Sequence, residues 1–527
     1  MDDRVELFVI GGGIHGAAIA RDAVGRGVSV MLAEMADFGS ASSAASGNIV
    51  GGAVSELLHW RLGRASTVLA ERAVLMRLAP HLVRPQRFNV PLRADVPTPG
   101  VMLRTAIALS DLLAGRAGGL PAGDSLSWVA AMKLPYLKDA GLRGVLSYSD
   151  CVTDDARLVA ATVLDARDRG AKVRNYTRVT ELTPTGEGFR VRMTGADGAE
   201  QDVHANFVVN AAGPWVNGML KDIPGHQPAR HLALVRGSHL VLPVHDGRLK
   251  QAFTLPQPDG RLVHVLPWQM GRFALLGASQ TPHTEEGRPR MSEEERDYLL
   301  AAWNRHCAPE IKAGDPVRAS AGLWVVPLGR SGRGGGALPP AVETTLTGEG
   351  RGGLLTLYGG SLTTHRLTAE TVLARLRRAG LKGGPRWTHE EPLTGGGTGP
   401  GELAAMVQHK ESVVAKRVRL RWALTYGGRM LQLESLARSS SDLAHEVAVG
   451  VPAAELKYAV DEEEVVKADD FLERRTRLGL ELSGEERRRV AAWIDDYRAR
   501  LARSQDAMAA RRAAQDGDSS GTAEHDS

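Results

Sequence analysis

Cysteine is nearly absent from this sequence, with only Cys151 and Cys307 among 527 residues. Two thiols cannot build a disulfide framework, and without a CxxC pair or a Cys/His cluster no metal site is expected. A reducing, cytoplasmic compartment fits best. An excess of one charge is also missing. The formal net charge of +4 is too small and diffuse to argue for nucleic acid, although a basic face touching anionic lipid is compatible with it. No segment supplies the roughly 18 uncharged apolar residues of a spanning helix. The most apolar stretch, 101–113, is interrupted by Arg104 and Asp111 and reads as an amphipathic helix packed on a core. The start does not resemble a signal peptide, because its short apolar run follows Asp2 and Asp3 and leads straight into glycines. Aromatics are sparse at 5%.

Glycine, by contrast, is plentiful at 60 residues, which suits a chain that needs positive φ or close backbone approach to a ligand. The length implies two or three domains. A strand over 6–10, the run Gly11-Gly12-Gly13, a helix to about Gly25 and a strand over 28–33 ending at Glu34 form a βαβ opening. Helices are expected over 57–78 and 101–113. Strands are expected within 172–209, turning at 185–188, and over 232–243, 262–267 and 272–276. Those later runs suit an antiparallel sheet covering a cofactor face. The stretch 329–340 reads as a flexible loop. A strand over 354–358 then meets Gly359-Gly360 and a helix over 363–378, repeating the strand–glycine–helix pattern. Beyond the glycine-rich linkers a helical region follows, its last helix opened by Ser483 and Glu486 at capping-box spacing. The Ala-, Arg-, Asp-, Gly- and Ser-rich tail from about Ser504 is expected to be disordered.

Gly11-x-Gly13-x-x-Gly16 lies between strand and helix, where each glycine has a mechanical task. Gly11 permits the tight turn, Gly13 lets backbone approach a pyrophosphate, and Gly16 lets helix and strand pack closely. The helix N-terminus offers free N–H groups to phosphate, and Glu34 stands where a carboxylate accepts ribose hydroxyls. Two features favour FAD over NAD. The small, polar segment 39–43 suits backbone passing close to phosphate or flavin. The second glycine turn, at Gly359-Gly360, matches a long cofactor held by both ends of a domain.

Several longer motifs then carry a resemblance: VIGGGIHGAAIARDAVGRG near the start, LAERAVLMRLAPHL at 69–82, YSDCVTDDARLV at 148–159, NAAGPWVN at 210–217, RGSHLVLP at 236–243, LPWQMGRFALLG at 266–277, GGSLTTHRLTAE at 359–370 and AELKYAVDEEEVVKADDFLERRTRLGL at 454–480. In this order, over about residues 4–500, the sequence resembles the FAD-dependent, quinone-reducing glycerol-3-phosphate dehydrogenases. The resemblance implies an α/β fold: a Rossmann-type FAD-binding domain with a mixed-sheet substrate cap, plus a C-terminal helical domain. The FAD-binding segments would be about 1–85, 150–225 and 350–385, with cap segments 86–149 and 226–349. The helical domain would span 386–503, and the tail 504–527. Gly11, Gly13, Gly16, Glu34, Ser42, Ser43, Val179, Gly213, Gly359, Gly360, Leu362 and Thr363 would hold FAD. The implied reaction oxidises sn-glycerol 3-phosphate to dihydroxyacetone phosphate and passes electrons to quinone. The implied setting is the inner face of the membrane, reached peripherally, often as a homodimer.

The sequence departs from that pattern where a substrate phosphate needs cations. Asn48 stands in place of a Lys, residues 51–56 (GGAVSE) in place of a His-Gly-Gly-Leu-Arg-Tyr segment, and Trp324 with its neighbours in place of an Arg-bearing one. Ser361 replaces a further Lys. Arg330 and Arg333 are possible substitutes, although two solvated loop arginines are the plainer reading. His239, in the RGSH motif, is the candidate for proton transfer, and His365, where the pattern has Tyr, is a second. Asp154, Asp155 and Arg157 read as a packing cluster, His15 as facing the cofactor's surroundings, and the Arg-rich 487–503 helix as a solvated face. Two alternatives follow: the same scaffold acting on a less anionic hydroxy or amino substrate, or a catalytically weak flavin-binding interaction protein.

Overall fold

The computed structural model describes residues 3–95, 99–115, 119–221, 223, 232–244, 247–285, 287–327, 341–346 and 352–520. The chain divides into two compact units, Met1–Ala404 with Leu424–Gly428, and Ala405–Ala423 with Arg429–Ser527. The segment 424–428 belongs to the first unit because glycines let it lie against the linker. Gly428 N–H donates to the Gly395 carbonyl at 3.0 Å, and a Cβ on Gly395 would overlap the Tyr426 carbonyl oxygen. Arg157 adds its guanidinium over the Tyr426 ring and a bond to the Thr425 carbonyl. The first unit thus runs past residue 385, where the resemblance starts the helical domain.

The first unit contains two large sheets. One runs in the order Ala341–Leu346, Gly353–Tyr358, Glu200–Asn210, Asp3–Ile10, Val30–Ala33, Lys172–Arg174, with the hairpin Thr177–Thr185 and Gly188–Gly195 attached beside Glu200–Asn210. Its central pairs are parallel. They are built from strands buried on both faces, as Leu7, Phe8 and Val9 show at 0% exposure. Ile14–Gly25, Asp155–Asp168 and His365–Arg378 cover it with the apolar residues Ile19, Leu158 and Val372.

The other sheet is the cap. Its order is Thr281–His283, Leu232–Pro243, Phe273–Gly277, Leu262–Trp268, Ala252–Pro256, Arg84–Arg93, Leu142–Val152 and Ile49–Val50, with Arg318–Pro327 paired to Leu232–Pro243 and Asp124–Leu126 to Leu142–Val152. All of these pairs are antiparallel except Ala252–Pro256 with Arg84–Arg93. The sheet is therefore mixed, as expected. One face packs Leu240, Phe253, Val263, Val265 and Leu276 against Leu299 and Trp303 of the helix Glu293–His306.

Of three helices expected from the sequence, two differ from the reading. The helix expected over 57–78 is two helices, Ala53–Leu58 and Leu62–Leu78, divided where Trp60 takes φ +59°. The helix expected over 101–113 runs Gly100–Ala114 and is amphipathic as anticipated, with Leu103 and Ile107 buried and Leu112 exposed. The last helix, Gly484–Ser520, continues past Ser504, where composition suggested disorder. An Ala- and Arg-rich stretch carries enough intrinsic helix propensity to extend it. Residues 329–340, and with them Arg330 and Arg333, lie outside the described residues. Cys151 and Cys307 are both free and buried, and burial pushes each thiol up to about 12.

Candidate functional site

The glycine turn after the first strand leaves no room for larger residues. Gly11 adopts φ +102°, and a Cβ there would stand 2.6 Å from the Ala211 carbonyl oxygen. A Cβ on Gly16 would overlap the Gly11 carbonyl itself. Gly13 caps Ile14–Gly25 from an extended conformation, so the unpaired N–H groups of the first helical turn point outward. Ser43 Oγ accepts one of them, from Ile14, at 3.0 Å. Glu34 closes the turn from the second strand, accepting Gly12 N–H at 2.7 Å and Ala36 N–H at 3.0 Å. Burial raises its pKa, while those two N–H bonds hold it down. The carboxylate is thereby anchored beside the turn, where it can receive hydroxyl donors.

The other expected cofactor residues gather around this turn. Thr177 N–H donates to the Glu34 carbonyl at 2.8 Å, which brings the strand carrying buried Val179 alongside. Gly213 opens the short helix Gly213–Trp215 with φ +57°. The second turn meets the first directly: Gly359 and Gly360 take φ +75° and +118°, and a Cβ on Gly360 would overlap the His15 ring. Thr363 Oγ1 accepts Gly51 N–H at 3.0 Å and reaches the Gly51 carbonyl at 3.3 Å. Leu362 offers its carbonyl to His365 Nδ1 at 2.6 Å. Ser42 bonds the Leu323 carbonyl through its hydroxyl, joining the cap strand Arg318–Pro327 to the cofactor side.

The two candidate histidines have different surroundings. His365 is buried at the start of His365–Arg378, in a small cavity lined by Arg21, Leu75, Thr162, Arg366 and Thr388. Burial and nearby cations push it down to about 3. Its ring serves the turn through Leu362, which is a positioning role. His239 projects from the cap sheet. Among the described residues neither of its ring nitrogens has a hydrogen-bond partner, and burial, aided by His264, lowers it to about 4. It is a neutral imidazole with a free acceptor.

Facing residues in an antiparallel pair share a sheet face. His239 faces Gly277 and Ser320, Gly237 faces Gly322, and a Cβ on Gly322 would stand 2.9 Å from Ala45 Cβ, beside Ser42. The His239 face is therefore the one turned to the cofactor turns. Trp324 shares it, with its ring against Gly237. Residues that sequence reasoning missed also lie here. Asp150 accepts Gly52 N–H at 2.7 Å and pairs with Arg72 at 3.1 Å, fixing the Gly51-Gly52 bend. Burial raises its pKa, and Arg72 works against that. His264 and Thr254 stand on the same face as His239. The only signal for His264 was its place between Val263 and Val265, whose alternation turns the imidazole away from the core.

Where the resemblance expects phosphate cations, Asn48 is buried and bonds Asp155 N–H through Oδ1 at 3.0 Å. Glu56 lies 3.6 Å from Arg61 and 3.7 Å from Arg64. Ser361 is exposed and meets the Thr364 hydroxyl at 3.1 Å. Asp155 and Arg157 are buried packing residues, and Asp154 caps Asp155–Asp168, in line with a structural cluster. No group of His, Cys, Asp or Glu suited to a metal occurs among the described residues.

Comparison with known proteins places these features in a lineage. Residues 6–369 match the FAD dependent oxidoreductase family, and residues 386–506 match the C-terminal domain of alpha-glycerophosphate oxidase. The glycerol-3-phosphate dehydrogenase of Pseudomonas aeruginosa is 33% identical over 498 residues, covering 93% of this chain and 94% of that protein. The aerobic glycerol-3-phosphate dehydrogenase of Escherichia coli is 35% identical over 504 residues, covering 93% and 97%. The crystal structure of the glycerol-3-phosphate dehydrogenase from Bacillus halodurans complexed with FAD superposes with a TM-score of 0.71 at 26% identity, over 94% of each chain.

Proposed function

The chain belongs to the FAD-dependent glycerol-3-phosphate dehydrogenase family, and on that premise we propose that it oxidises sn-glycerol 3-phosphate to dihydroxyacetone phosphate. The observation that carries the reading is the junction of the Gly11–Gly16 and Gly359–Gly360 turns at His15 and Gly51, with a free neutral His239 on the cap face above it. The residues present suit FAD. Gly13 keeps the helix N-terminus approachable for the pyrophosphate, Ser42 and Ser43 edge the same groove, and Glu34 is anchored to take ribose hydroxyls. Val179, Gly213, Leu362 and Thr363 supply close backbone. FAD bound there supplies a hydride acceptor for the substrate's C2 hydrogen. His239, neutral because it is buried, takes the hydroxyl proton at a ring nitrogen. His365 holds the second turn in shape through Leu362.

We further propose, from the sequence resemblance alone, quinone as the electron acceptor, a homodimer, and peripheral contact with the inner face of the membrane. No helix among the described residues is long and apolar enough to cross a membrane, so contact falls to surface side chains such as exposed Trp60, Leu112 and Trp128. A second reading is favoured by one observation. Asn48, Ser361 and Trp324 replace cations of the resemblance, and Trp324 adds an apolar wall on the His239 face. That suits a less anionic hydroxy or amino substrate.

Anaerobic addition of sn-glycerol 3-phosphate to the yellow FAD-loaded protein is the test. Bleaching of the flavin is the expected result. Bleaching only by an uncharged hydroxy or amino compound would move the assignment to the second reading, and a flavin that only dithionite reduces would leave a binding protein.

A further inference from the structure

Across the cap sheet, Ser320, His239, Gly277, His264 and Thr254 occupy facing positions on successive strands. They form one row on the face turned to the cofactor side. Gly277 contributes no side chain, so the His239 ring leans into the gap between the two histidines. The row ends in a hydrogen-bonded chain: Tyr148 Oη to Thr254 Oγ1 at 2.9 Å, and Thr254 Oγ1 to His264 Nδ1 at 3.1 Å. Phe88 stacks on Tyr148 and meets the His264 ring edge-on, which fixes both rings.

One direction of this chain leaves no proton within it unpaired. Either hydroxyl can donate in the Tyr148–Thr254 bond; with Tyr148 donating, its proton meets the one acceptor it has among the described residues. Thr254 then spends its own proton on His264 Nδ1. Burial lowers His264 to about 4, so the ring is neutral, and accepting at Nδ1 in this direction puts its proton on Nε2. That N–H has no partner among the described residues, and the residue is half-buried. His239 has both ring nitrogens unpaired among the described residues, and so offers an acceptor with no donor; its neighbour, one strand beyond Gly277, offers in this direction a donor with no acceptor. A substrate carrying two adjacent hydroxyls satisfies both.

We propose that His264 is a second substrate-binding histidine, whose Nε2–H donates to the hydroxyl beside the carbinol being oxidised, so that the site selects vicinal polyols. This rests on the glycerol-3-phosphate reading above. Tyr148 and Thr254 act through His264 and are positioning residues.

The test pairs a substrate deletion with a side-chain deletion on the FAD-loaded enzyme. The substrates are sn-glycerol 3-phosphate and propane-1,2-diol 1-phosphate of matching configuration, which keeps the carbinol and phosphate but lacks the second hydroxyl. The wild type is expected to favour the polyol in kcat/KM by about tenfold or more. His264→Phe is expected to erase that preference by losing rate on the polyol alone, chiefly through KM, with the flavin spectrum unchanged. His264→Gln, which restores an N–H donor, recovers part of it. Thr254→Val weakens the preference with the imidazole still present, and it decides the matter if His264→Phe takes up no FAD. A preference that survives His264→Phe, or equal losses on both compounds, overturns the proposal and leaves His264 structural. If neither compound reduces the wild-type flavin, the substrate reading fails first and takes this inference with it.

Discussion

A methyl group at position 16 has nowhere to go, because it would coincide with the Gly11 carbonyl on which the whole turn depends. Gly16→Ala should cost about 1–3 kcal/mol of stability and yield protein with little bound FAD, measured as flavin absorbance per chain. His239 makes a different prediction. Replacing it with Gln should lower kcat by about 10²–10⁴ while FAD content stays at the wild-type level. Its depressed pKa of about 4 places the neutral form in excess from pH 5 upward. The acid limb of kcat/KM should therefore lie below about pH 5, and a limb near the ordinary imidazole value of about 6.5 would argue against His239 as the base. The tight turn at Gly11, Gly13 and Gly16, with Glu34 beside it, was legible in the sequence because its spacing is set by local geometry. His264, Thr254 and Asp150 were not, since their partners come from strands far apart in the chain and no local period records such meetings.

At the scale of elements, the helix His365–Arg378 is held to the rest of its unit by a buried charge cluster. Arg366 bonds Glu71 through Nε at 3.0 Å, and Glu370 and Thr388 bond the same guanidinium. Arg366→Met would leave Glu71 without its cation and Glu370 with only Thr388 and Arg386, both carboxylates being 4% exposed. A loss of about 3–5 kcal/mol is expected in urea unfolding, together with weaker FAD retention, because Gly359–Gly360 lies just ahead of this helix. A loss below about 1 kcal/mol would show that the cluster contributes little. The element pattern itself was readable in part. Alternation and glycine punctuation located the cap strands Leu232–Pro243, Leu262–Trp268 and Phe273–Gly277 to within a residue or two, but not Arg84–Arg93, Leu142–Val152, Ala252–Pro256 or Arg318–Pro327. The break at Trp60 escaped because Leu57–Leu78 keeps a helical apolar period across it, and only a positive φ reveals the interruption.

For the molecule as a whole, burial leaves an acid-sensitive fold. His15, His239, His264 and His306 sit near 4, and His81 and His365 near 3, each lowered by desolvation. All six belong to the first unit. Their folded values lie below the unfolded one, so the unfolded chain binds more protons between about pH 4 and 6.5. Their contribution is fully present above about pH 6.5 and is lost as pH falls toward the folded values, at up to about 1.4 kcal/mol per pH unit for each histidine. Urea midpoints of the first unit should drop steeply from pH 7 to 5. A flat profile would mean these rings are solvated. The division into units was only partly foreseeable. The return of 424–428 to the first unit depends on backbone contacts among Gly395, Gly427 and Gly428, which composition does not encode.

The clasp between Gly51 and Thr363 spans 312 positions of sequence. During synthesis at roughly 5–20 residues per second, the glycine turn near the N-terminus waits about 15–60 s for its counterpart to leave the ribosome. Until then the nascent polypeptide has half a cradle, and the strand Asp3–Ile10 lacks its neighbour Glu200–Asn210 for much of that interval. Cofactor capture is therefore a late event in the life of this chain, and any truncated product ending before the second turn should emerge colourless.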